Sequence, residues 1–413
     1  MSNRQDQFLE AANYLGTIIC RDALWAGSRC NWLGPSMDYT DNQWLVVQKA
    51  GGPDLYGGTS GIALFLSHLY AATNEKIFRV VAEGALNHCL SRVDDFHPSF
   101  RSAFYSGTTG VAYALQDAAE QLGDERYAAE AVRLLKSLSK DDPNEQGIDV
   151  ISGSAGAIPA LINIHRKHPE DGLLELATKH GEHLLNTARR ESFGWSWNTM
   201  GSPTDLTGFS HGAAGIGWAL LELHVETGED RFRAAAEEAF RYEQHYYDAE
   251  QENWPDFRSL LTEQPGKSKT LTCSVTWCHG APGIGLSRLR AYELTGQEQY
   301  RTEAEAAIRT TAKMLSGATH AWADNFSLCH GLAGNADLLV YASRVLDKRH
   351  LSLVNDVGEL GIERYCKAKL PWPCGVPGAG ESPNLLLGLA GIGYFYLRLY
   401  DSSKHKSLLI VLP

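Results

Sequence analysis

Hydrophobic residues along this chain are gathered into runs that each begin just after a Gly-x-x-Gly sequence. In one example, Val111–Leu115 follows such a glycine pair, a polar stop occurs at Gly123-Asp124, and an amphipathic stretch begins at Arg126. A glycine just past a helix end and acidic residues at the start of the next helix are common boundary signals. The pattern predicts a helical hairpin. Its first helix, apolar almost all round, is buried, and its second helix is amphipathic and lies outside.

The same hairpin pattern recurs seven times. Successive glycine pairs begin 46 to 68 residues apart, which is typical of repeat architectures. Because glycine has no side chain, each pair lets an inner helix start close to its neighbours. The seven units are Gly58–Gly61, Gly107–Gly110, Gly153–Gly156, Gly212–Gly215, Gly280–Gly283, Gly331–Gly334 and Gly388–Gly391.

The last repeat distinguishes an open solenoid from a closed ring. Open solenoids usually end in polar capping units, whereas Leu385–Tyr394 is as apolar as the central repeats. We therefore predict an all-α fold, an α/α toroid (barrel) of seven helical hairpins. It has seven inner and seven outer helices, with every Gly-x-x-Gly loop on one rim. Residues 1–45 are predicted to form a lead-in that consists of a helix, from Asp6 to about Leu24, followed by a loop. Residues 46–413 are predicted to form a single toroid domain.

Aromatic and proline-rich insertions precede the fourth, fifth and seventh repeats. They are Ser192–Trp197, Asn253–Arg258 and Lys369–Gly375. Such loops either line a peptide groove on the rim or plug gaps between helices, and the pattern favours neither interpretation.

Charge and cysteine content narrow the class of protein. A net charge of −12 over 413 residues, without a long basic run, argues against general binding of nucleic acid or anionic membranes. The N-terminus is amphipathic, and no apolar run approaches the roughly 20 residues that cross a bilayer, so no membrane insertion is expected. Eight cysteines are sparse for this length. They indicate a cytoplasmic, reducing location, where paired cysteines more often bind metal.

The residues just before the glycine pairs differ among repeats, and there we expect the chemistry. Repeats four, five and six carry Ser210-His211, Cys278-His279 and Cys329-His330. Zinc takes thiolate and imidazole ligands, and catalytic zinc sites leave one position open. A helix N-terminus stabilises thiolate and disfavours imidazolium, so both ligand types are ready for metal. The pattern predicts zinc bound by Cys278, Cys329 and one adjacent histidine.

Three alternatives remain at this point. The cysteines can be buried core residues and the histidines helix caps, although their duplication at equivalent positions favours metal. Spacing does not choose between His279 and His330 as third ligand, nor does it exclude a closed four-ligand structural site. Ligands about 50 residues apart on a ring rim nevertheless fit a site facing a cavity better than a structural zinc, which more often uses short Cys-x-x-Cys spacings.

Two further residues are candidates for acid–base chemistry. His211 directly precedes Gly212, and Asp149 lies four residues before Gly153, so either can reach the ring mouth. The ordinary pKa of histidine suits a general acid or base, and the aspartate could orient it. The alternative for both residues is helix capping.

With these residues assembled, the chain resembles the lanthionine synthetase C-like family over nearly its whole length. Two stretches look most like the C-terminal cyclase domain of class II lanthipeptide synthetases, namely Asn253–Arg258 and Leu387–Gly393. The other residues that carry the resemblance are Trp277–Ile284, Cys329–Gly331, Ser210–Gly212 and the repeated Gly-x-x-Gly.

The resemblance implies a toroid with one zinc ion at its mouth that acts as a lanthionine and methyllanthionine cyclase. In such a reaction a peptide cysteine thiolate adds to dehydroalanine or dehydrobutyrine in a dehydrated precursor peptide. By motif, Cys278, Cys329 and His330 match the zinc ligands, while His211 and Asp149 match acid–base positions. A dehydratase domain or partner is expected to supply the substrate.

His279, Trp277 and Arg258 are assigned to substrate binding. Some stand-alone cyclases of the family have an arginine four residues before the first zinc cysteine, where this chain has Ser274. Arg258 is the candidate to replace it.

Two other functions compete with cyclisation. One is a non-catalytic zinc and thiol-binding relative that holds glutathione or a peptide. The other is a prenyltransferase-like toroid, which would normally use an aspartate ligand and is not built on Gly-x-x-Gly.

Overall fold

The computed structural model describes residues 4–40, 43–169, 172–258, 271–319 and 325–413. These residues form fourteen α-helices, arranged as an inner and an outer ring, and confirm the predicted toroid. The inner helices are α2 (Thr59–Thr73), α4 (Thr108–Leu122), α6 (Ser154–His165), α8 (Ala213–Thr227), α10 (Ala281–Thr295), α12 (Leu332–Val345) and α14 (Leu389–Tyr400). The outer helices are α1 (Arg4–Arg21), α3 (Lys76–Arg92), α5 (Glu125–Leu138), α7 (Leu173–Thr187), α9 (Asp230–His245), α11 (Glu298–Thr319) and α13 (Leu351–Gly361).

Inner and outer helices differ in burial as their sequences predict. Helix α8 is buried without interruption from Ala213 to Leu223, and left-handed Gly228 ends it. Helix α5 begins at the capping side chain of Asp124 and buries one face only. None of the helices in the described ranges is long and apolar enough to span a bilayer.

Backbone hydrogen bonds between the rim loops show that the ring is closed. In each repeat, the residues just before the glycine pair donate to the next repeat, and the seventh donates back to the first. The bonds are Tyr56 N to Tyr105 O (2.9 Å), Ser106 N to Ile151 O (3.3 Å), Val150 N to Ser210 O (3.1 Å), Ser210 N to Cys278 O (3.1 Å), Cys278 N to Cys329 O (3.3 Å), Cys329 N to Leu386 O (2.9 Å) and Leu386 N to Tyr56 O (3.0 Å).

The N-terminal helix completes the ring instead of leading into it. Helix α1 packs along α14 and takes the place of the outer helix of the seventh hairpin. Phe8 contacts Tyr396 with ring centroids 6.1 Å apart, and Arg4 forms an ion pair with Glu359 on α13. The predicted lead-in helix is therefore present, with bounds Arg4–Arg21, but it belongs to the toroid.

The predicted lead-in loop is mostly β-structure. Strands β1 (Leu24–Ala26) and β2 (Arg29–Asn31) form one antiparallel hairpin, and β3 (Leu33–Thr40) and β4 (Gln43–Ala50) form a second. The proposed boundary at residue 46 falls inside β4. A third small hairpin, made by β5 (Arg189–Glu191) and β6 (Gly194–Ser196), lies in the insertion before the fourth repeat.

The C-terminal segment fills the middle of the ring. Leu408–Val411 are all buried, and the segment after α14 bonds to side chains from several repeats. Tyr105 donates to the carbonyl oxygen of Leu408 at 2.6 Å, and the Trp277 indole donates to that of Leu409 at 2.8 Å. Asp337 of α12 anchors the same segment by accepting from Ser407. The segment therefore forms a floor beneath the rim.

The aromatic insertions plug gaps between helices. Trp197, Trp254 and Trp372 are each at most 2% exposed. The Trp197 indole donates to the Leu184 carbonyl oxygen, and Trp254 and Trp372 pack against other aromatic rings, including Tyr247 and Phe326. Of the two interpretations left open by the sequence, the structure supports packing for these three tryptophans.

Candidate active site

The closed set of rim hydrogen bonds places two cysteines beside each other. Cys278 and Cys329 occupy equivalent positions in adjacent repeats, and the first donates its N–H to the carbonyl oxygen of the second. The two sulfurs and one ring nitrogen of His330 all lie within 4.8 Å of one another. We call these three residues the metal cluster. The structure thus brings together the ligands that the resemblance implied.

The loop before the seventh repeat orients His330. Its Nε2 atom donates to the carbonyl oxygen of Gly375 at 2.8 Å. In the neutral ring that bond leaves Nδ1 with its lone pair, and metal-ligating histidines are commonly held in this way by their second nitrogen.

His279 lies outside the cluster. Its ring is 1% exposed, and neither ring nitrogen has a hydrogen-bond partner among the residues that the structure describes. The ring stacks on His211 with centroids 5.9 Å apart, and its Nδ1 lies 3.9 Å from a carboxylate oxygen of Asp256. Burial lowers the pKa of His279 to about 4, so the ring is neutral near neutral pH. The His279 side chain thus forms part of the wall of the site, next to the metal cluster.

The cysteine pair holds negative charge readily. Hydrogen bonding with the Cys329 thiol, and then with the His330 ring, lowers the pKa of Cys278 well below its ordinary value despite burial. The same interaction, seen from the other side, raises the pKa of Cys329. A thiolate paired with a protonated thiol suits a site that takes up a cation in exchange for a proton.

Gly280 and Asn253 fix the backbone conformation between Cys278 and the start of α10. Gly280 has φ +89°, and a Cβ there would lie 1.8 Å from the carbonyl oxygen of Ser274. The side-chain oxygen of Asn253 accepts from the N–H of Ala281 at 2.8 Å and so caps the first turn of α10. The Asn253–Arg258 insertion therefore supports the cluster from behind.

His211 and Asp149 form a hydrogen-bonded pair next to the cluster. Nδ1 of His211 donates to Asp149 at 2.6 Å, and the second carboxylate oxygen accepts from the N–H of Ser152 at 2.6 Å. Burial disfavours the charged ring, but the adjacent carboxylate outweighs it and raises the pKa of His211 above its ordinary value. Nε2 is left for chemistry. The arrangement is that of an oriented acid–base histidine.

Arg258 and Ser274 meet at one carboxylate. Arg258 forms two bonds to Asp256, at 3.0 and 2.7 Å, and the Ser274 hydroxyl donates to the same carboxylate at 2.9 Å. Both cluster cysteines interact electrostatically with the Arg258 guanidinium. The predicted replacement for the missing arginine therefore lies near the cluster, fixed by its carboxylate partner.

Trp277, which was assigned to substrate binding, lies in the core of the ring. Its side chain is fully buried, and its indole N–H is bonded to the C-terminal segment. The ring packs against Tyr105 and Phe209, with centroids 5.4 and 5.8 Å away. Trp277 therefore joins the floor to the rim, and its role in substrate binding stays a prediction.

Tyr56 is a site residue that the sequence analysis missed. Its hydroxyl donates to the sulfur of Cys329 at 3.0 Å. In the first repeat it occupies the place that Cys278 and Cys329 hold in theirs, two residues before the first glycine of the pair. This equivalent position in the repeat is the sequence signal that could have identified Tyr56 as a site residue.

Comparison with known proteins agrees with this architecture. The family model described as lanthionine synthetase C-like protein matches residues 49–412. The chain belongs to the lanthionine synthetase C-like family. The solved structure of nisin cyclase has a TM-score of 0.60 to this family member at 19% identity, covering 85% of this chain and 89% of that one. At such identity the likeness concerns the fold.

Curated relatives of this lanthionine synthetase C-like chain come from bacteria and a vertebrate. The lacticin 481/lactococcin biosynthesis protein LcnDR2 of Lactococcus lactis subsp. lactis is 23% identical over 98% of the chain, which spans only 42% of that relative. The nisin biosynthesis protein NisC of the same subspecies is 22% identical over 71% of the chain and 74% of its own length. Glutathione S-transferase LANCL1 of Danio rerio is 21% identical over 85% of this chain and 83% of its own length.

Proposed function

We propose that this protein is a zinc-dependent lanthionine and methyllanthionine cyclase. The proposal rests mainly on one observation: two cysteines and a histidine converge beside the hydrogen-bonded pair of His211 and Asp149. Membership of the family and the names of the lantibiotic relatives support the same function. The proposed substrate is a precursor peptide bearing cysteine and dehydroalanine or dehydrobutyrine. A dehydratase domain or partner, acting in the cytoplasm, is its proposed source.

The donor set of the metal cluster fits zinc. Two sulfurs and one imidazole nitrogen are borderline-soft ligands, and three protein ligands leave a fourth position for a substrate. When bound, zinc would supply a Lewis acid that lowers the pKa of a peptide thiol towards neutrality. The bond from His330 to Gly375 supports the required ring orientation. Among the described residues, no aspartate joins the cluster, although the prenyltransferase-like alternative would normally use one as a ligand.

Cyclisation needs one proton moved and no net change in composition. A carbon–sulfur bond forms at the β-carbon of the dehydro residue while its carbon–carbon double bond opens. The thiol proton is lost, and a proton is added at Cα. His211 is our candidate donor at Cα, because Asp149 accepts from its Nδ1–H and raises the pKa of the ring, which favours a second proton on Nε2.

Arg258 is the candidate to stabilise the developing negative charge. In the addition, charge moves to the carbonyl oxygen of the dehydro residue before Cα is protonated. A preorganised cation close to that oxygen lowers the barrier. The two bonds to Asp256 hold the guanidinium in one orientation, and its electrostatic coupling to both cysteines puts it near the reacting centre.

The proposed function is tested with a synthetic dehydrated peptide that contains one cysteine. With zinc-loaded protein, we expect loss of the free thiol without a change in peptide mass. An unchanged thiol count under zinc-replete conditions would contradict the proposal.

A second candidate is binding or transfer of glutathione, favoured by the relative named glutathione S-transferase. It would use the same cluster. In the same assay with added glutathione, this candidate predicts a peptide heavier by one glutathione, whereas cyclisation leaves the mass unchanged.

Replacing Tyr56 by phenylalanine should weaken metal binding without abolishing it. The change removes the hydroxyl that donates to the Cys329 sulfur, and loss of such an outer partner typically costs 10- to 100-fold in metal affinity or activity. In cobalt-substituted protein, the thiolate-to-metal absorption band should also shift. Tyr113→Phe, on inner helix α4, is the matched control. If both variants have the wild-type spectrum and affinity, the hydroxyl has no part in the site.

A further inference from the structure

A cavity of about 440 Å³ opens beside the metal cluster. Two residues line the cavity and also take part in the site: Tyr56 contacts the metal cluster, and His330 belongs to it. The other walls come from the β3–β4 hairpin and from the loop on either side of Pro383. The order of repeats around the ring puts this cavity on one side of the cluster, at repeats six, seven and one. His211, in repeat four, lies on the other side.

Internal hydrogen bonds fix the shape of the cavity. The amide of Asn384 bonds to the N–H of Leu387 at 2.9 Å and to the Ser382 hydroxyl at 2.8 Å. Asp54 accepts from the N–H of Gly57 at 2.6 Å. Since these polar groups are already paired within their own loops, the walls are preformed. The volume is within the usual range for ligand pockets, about 300–1,000 Å³.

The wall made by β3 is the edge of a strand. The consecutive residues Gly34–Met37 all line the cavity, although successive side chains of a strand point to opposite faces. The cavity therefore runs along β3, and because Lys49 and Ala50 of β4 also line it, it extends over the open end of the hairpin. In the described part of the chain, strand β3 pairs with β4 alone, so its other edge carries backbone groups that an extended chain can pair with. Pro35 removes one donor from that edge.

The side chains of the wall favour a peptide backbone over a charged ligand. Glycines at several wall positions, including Gly51 and Gly57, leave backbone accessible. Of the two charged wall residues, Lys49 is paired with Asp38 across the hairpin, and Asp54 caps its own turn. A site of this kind holds the main chain and is tolerant of sequence.

We propose that this cavity binds, in extended form, the stretch of precursor peptide that adjoins the reacting cysteine. The proposal rests on the cyclase function and names how its substrate is held. A chain lying along β3 would reach the cluster between Tyr56 and His330 with its cysteine. The rest of the peptide would then continue towards His211. The cavity thus sets on which side of the cysteine the dehydro residue is presented.

Binding measurements on zinc-loaded protein test the proposal without requiring cyclisation. Ser36→Trp and Met37→Trp would each add an indole to a residue that lines the cavity, one on each face of β3, whereas Leu45→Trp changes an exposed residue of β4 away from it. The probes are a labelled ten-residue peptide with one central cysteine among alanines and glycines, and N-acetylcysteine amide. We expect both cavity variants to weaken peptide binding at least tenfold, with N-acetylcysteine amide binding and zinc content unchanged.

The Leu45→Trp variant should bind the peptide as the wild type does. Equal peptide affinity in all four proteins would overturn the proposal, and so would an equal loss of peptide and N-acetylcysteine amide binding. A tenfold loss of glutathione affinity in the cavity variants, with the long peptide unaffected, would also overturn it by making the cavity a tripeptide site. If dehydrated peptide is never cyclised but the cavity variants bind peptide selectively worse, the cyclase proposal fails and the peptide site stands.

Discussion

Zinc should be lost when Cys329 is replaced by alanine. Wild-type protein is expected to contain one zinc per chain, and the variant almost none after dialysis against a weak chelator. The remaining Cys278 and His330 supply only two ligands, and Cys278 also loses the thiol that lowers its pKa. We expect the affinity to fall by more than the roughly 10- to 100-fold typical of outer-shell changes. Elemental analysis of folded protein measures the result, and cyclisation should be abolished with it.

Cys374→Ala is the matched control for that experiment. Cys374 is also a buried, unpaired cysteine, and it immediately precedes the glycine whose carbonyl orients His330. Its sulfur accepts from the N–H of Ser382 and lies outside the cluster. The control should retain one zinc per chain. Full zinc content in Cys329→Ala would show that the zinc is not bound at the metal cluster.

Replacing His211 by asparagine should leave zinc bound and slow cyclisation by about 10²- to 10⁴-fold, the usual contribution of a positioned general acid or base. Asparagine can still bond to Asp149 but cannot carry a transferable proton at the Nε2 position. Zinc content and the rate of thiol loss are measured together on the same sample. His350→Asn, at a loop outside the site, is the control. A wild-type rate for His211→Asn would exclude this residue from proton transfer.

The pH dependence gives a second readout of the same pair. A general acid must be protonated, so the rate should fall as pH rises through the pKa of His211, which Asp149 holds above its ordinary value. Asp149→Asn removes that carboxylate and should move the fall to lower pH. A pH–rate profile of each protein checks the direction. Coincident profiles would show that the pair does not govern the step.

The fold was predictable because each repeat carries its own signals. Glycine pairs mark the helix starts, and the apolar runs after them distinguish inner from outer helices. Closure was inferred from the apolar character of the last repeat, and the hydrogen bond from Leu386 to Tyr56 confirms it. All of these are local patterns that a single sequence displays.

The parts that were missed depend on contacts between distant segments. Nothing in Arg4–Arg21 identifies α14 as its partner, and the segment after Tyr400 has no repeat pattern to assign it to the centre of the ring. The alternation of apolar and polar residues in Leu33–Thr40 is itself a strand signal, and it outweighs the loop prediction for this region. The motif around Cys278 could not show that Trp277 points into the core.

The choice between two histidines shows where sequence reasoning stopped. His279 and His330 occupy the same place in consecutive repeats, so spacing treats them alike. Their surroundings come from different insertions: Asp256 approaches the first, and the carbonyl of Gly375 orients the second. The family resemblance favoured His330, and the structure places His330 in the cluster and His279 beside it.

The pairing of α1 with α14 bears on the order in which the chain assembles. Hairpins of consecutive helices rest on local contacts and can form as each is synthesised. The apolar face of α1, which includes Phe8, Leu15 and Ile19, also contacts α2 and α3 but gains its main partner only after α14 has been made. Until then it is an exposed hydrophobic surface with a tendency to aggregate. Cys278 and Cys329 lie in successive hairpins, so metal capture can precede the meeting of the two chain ends.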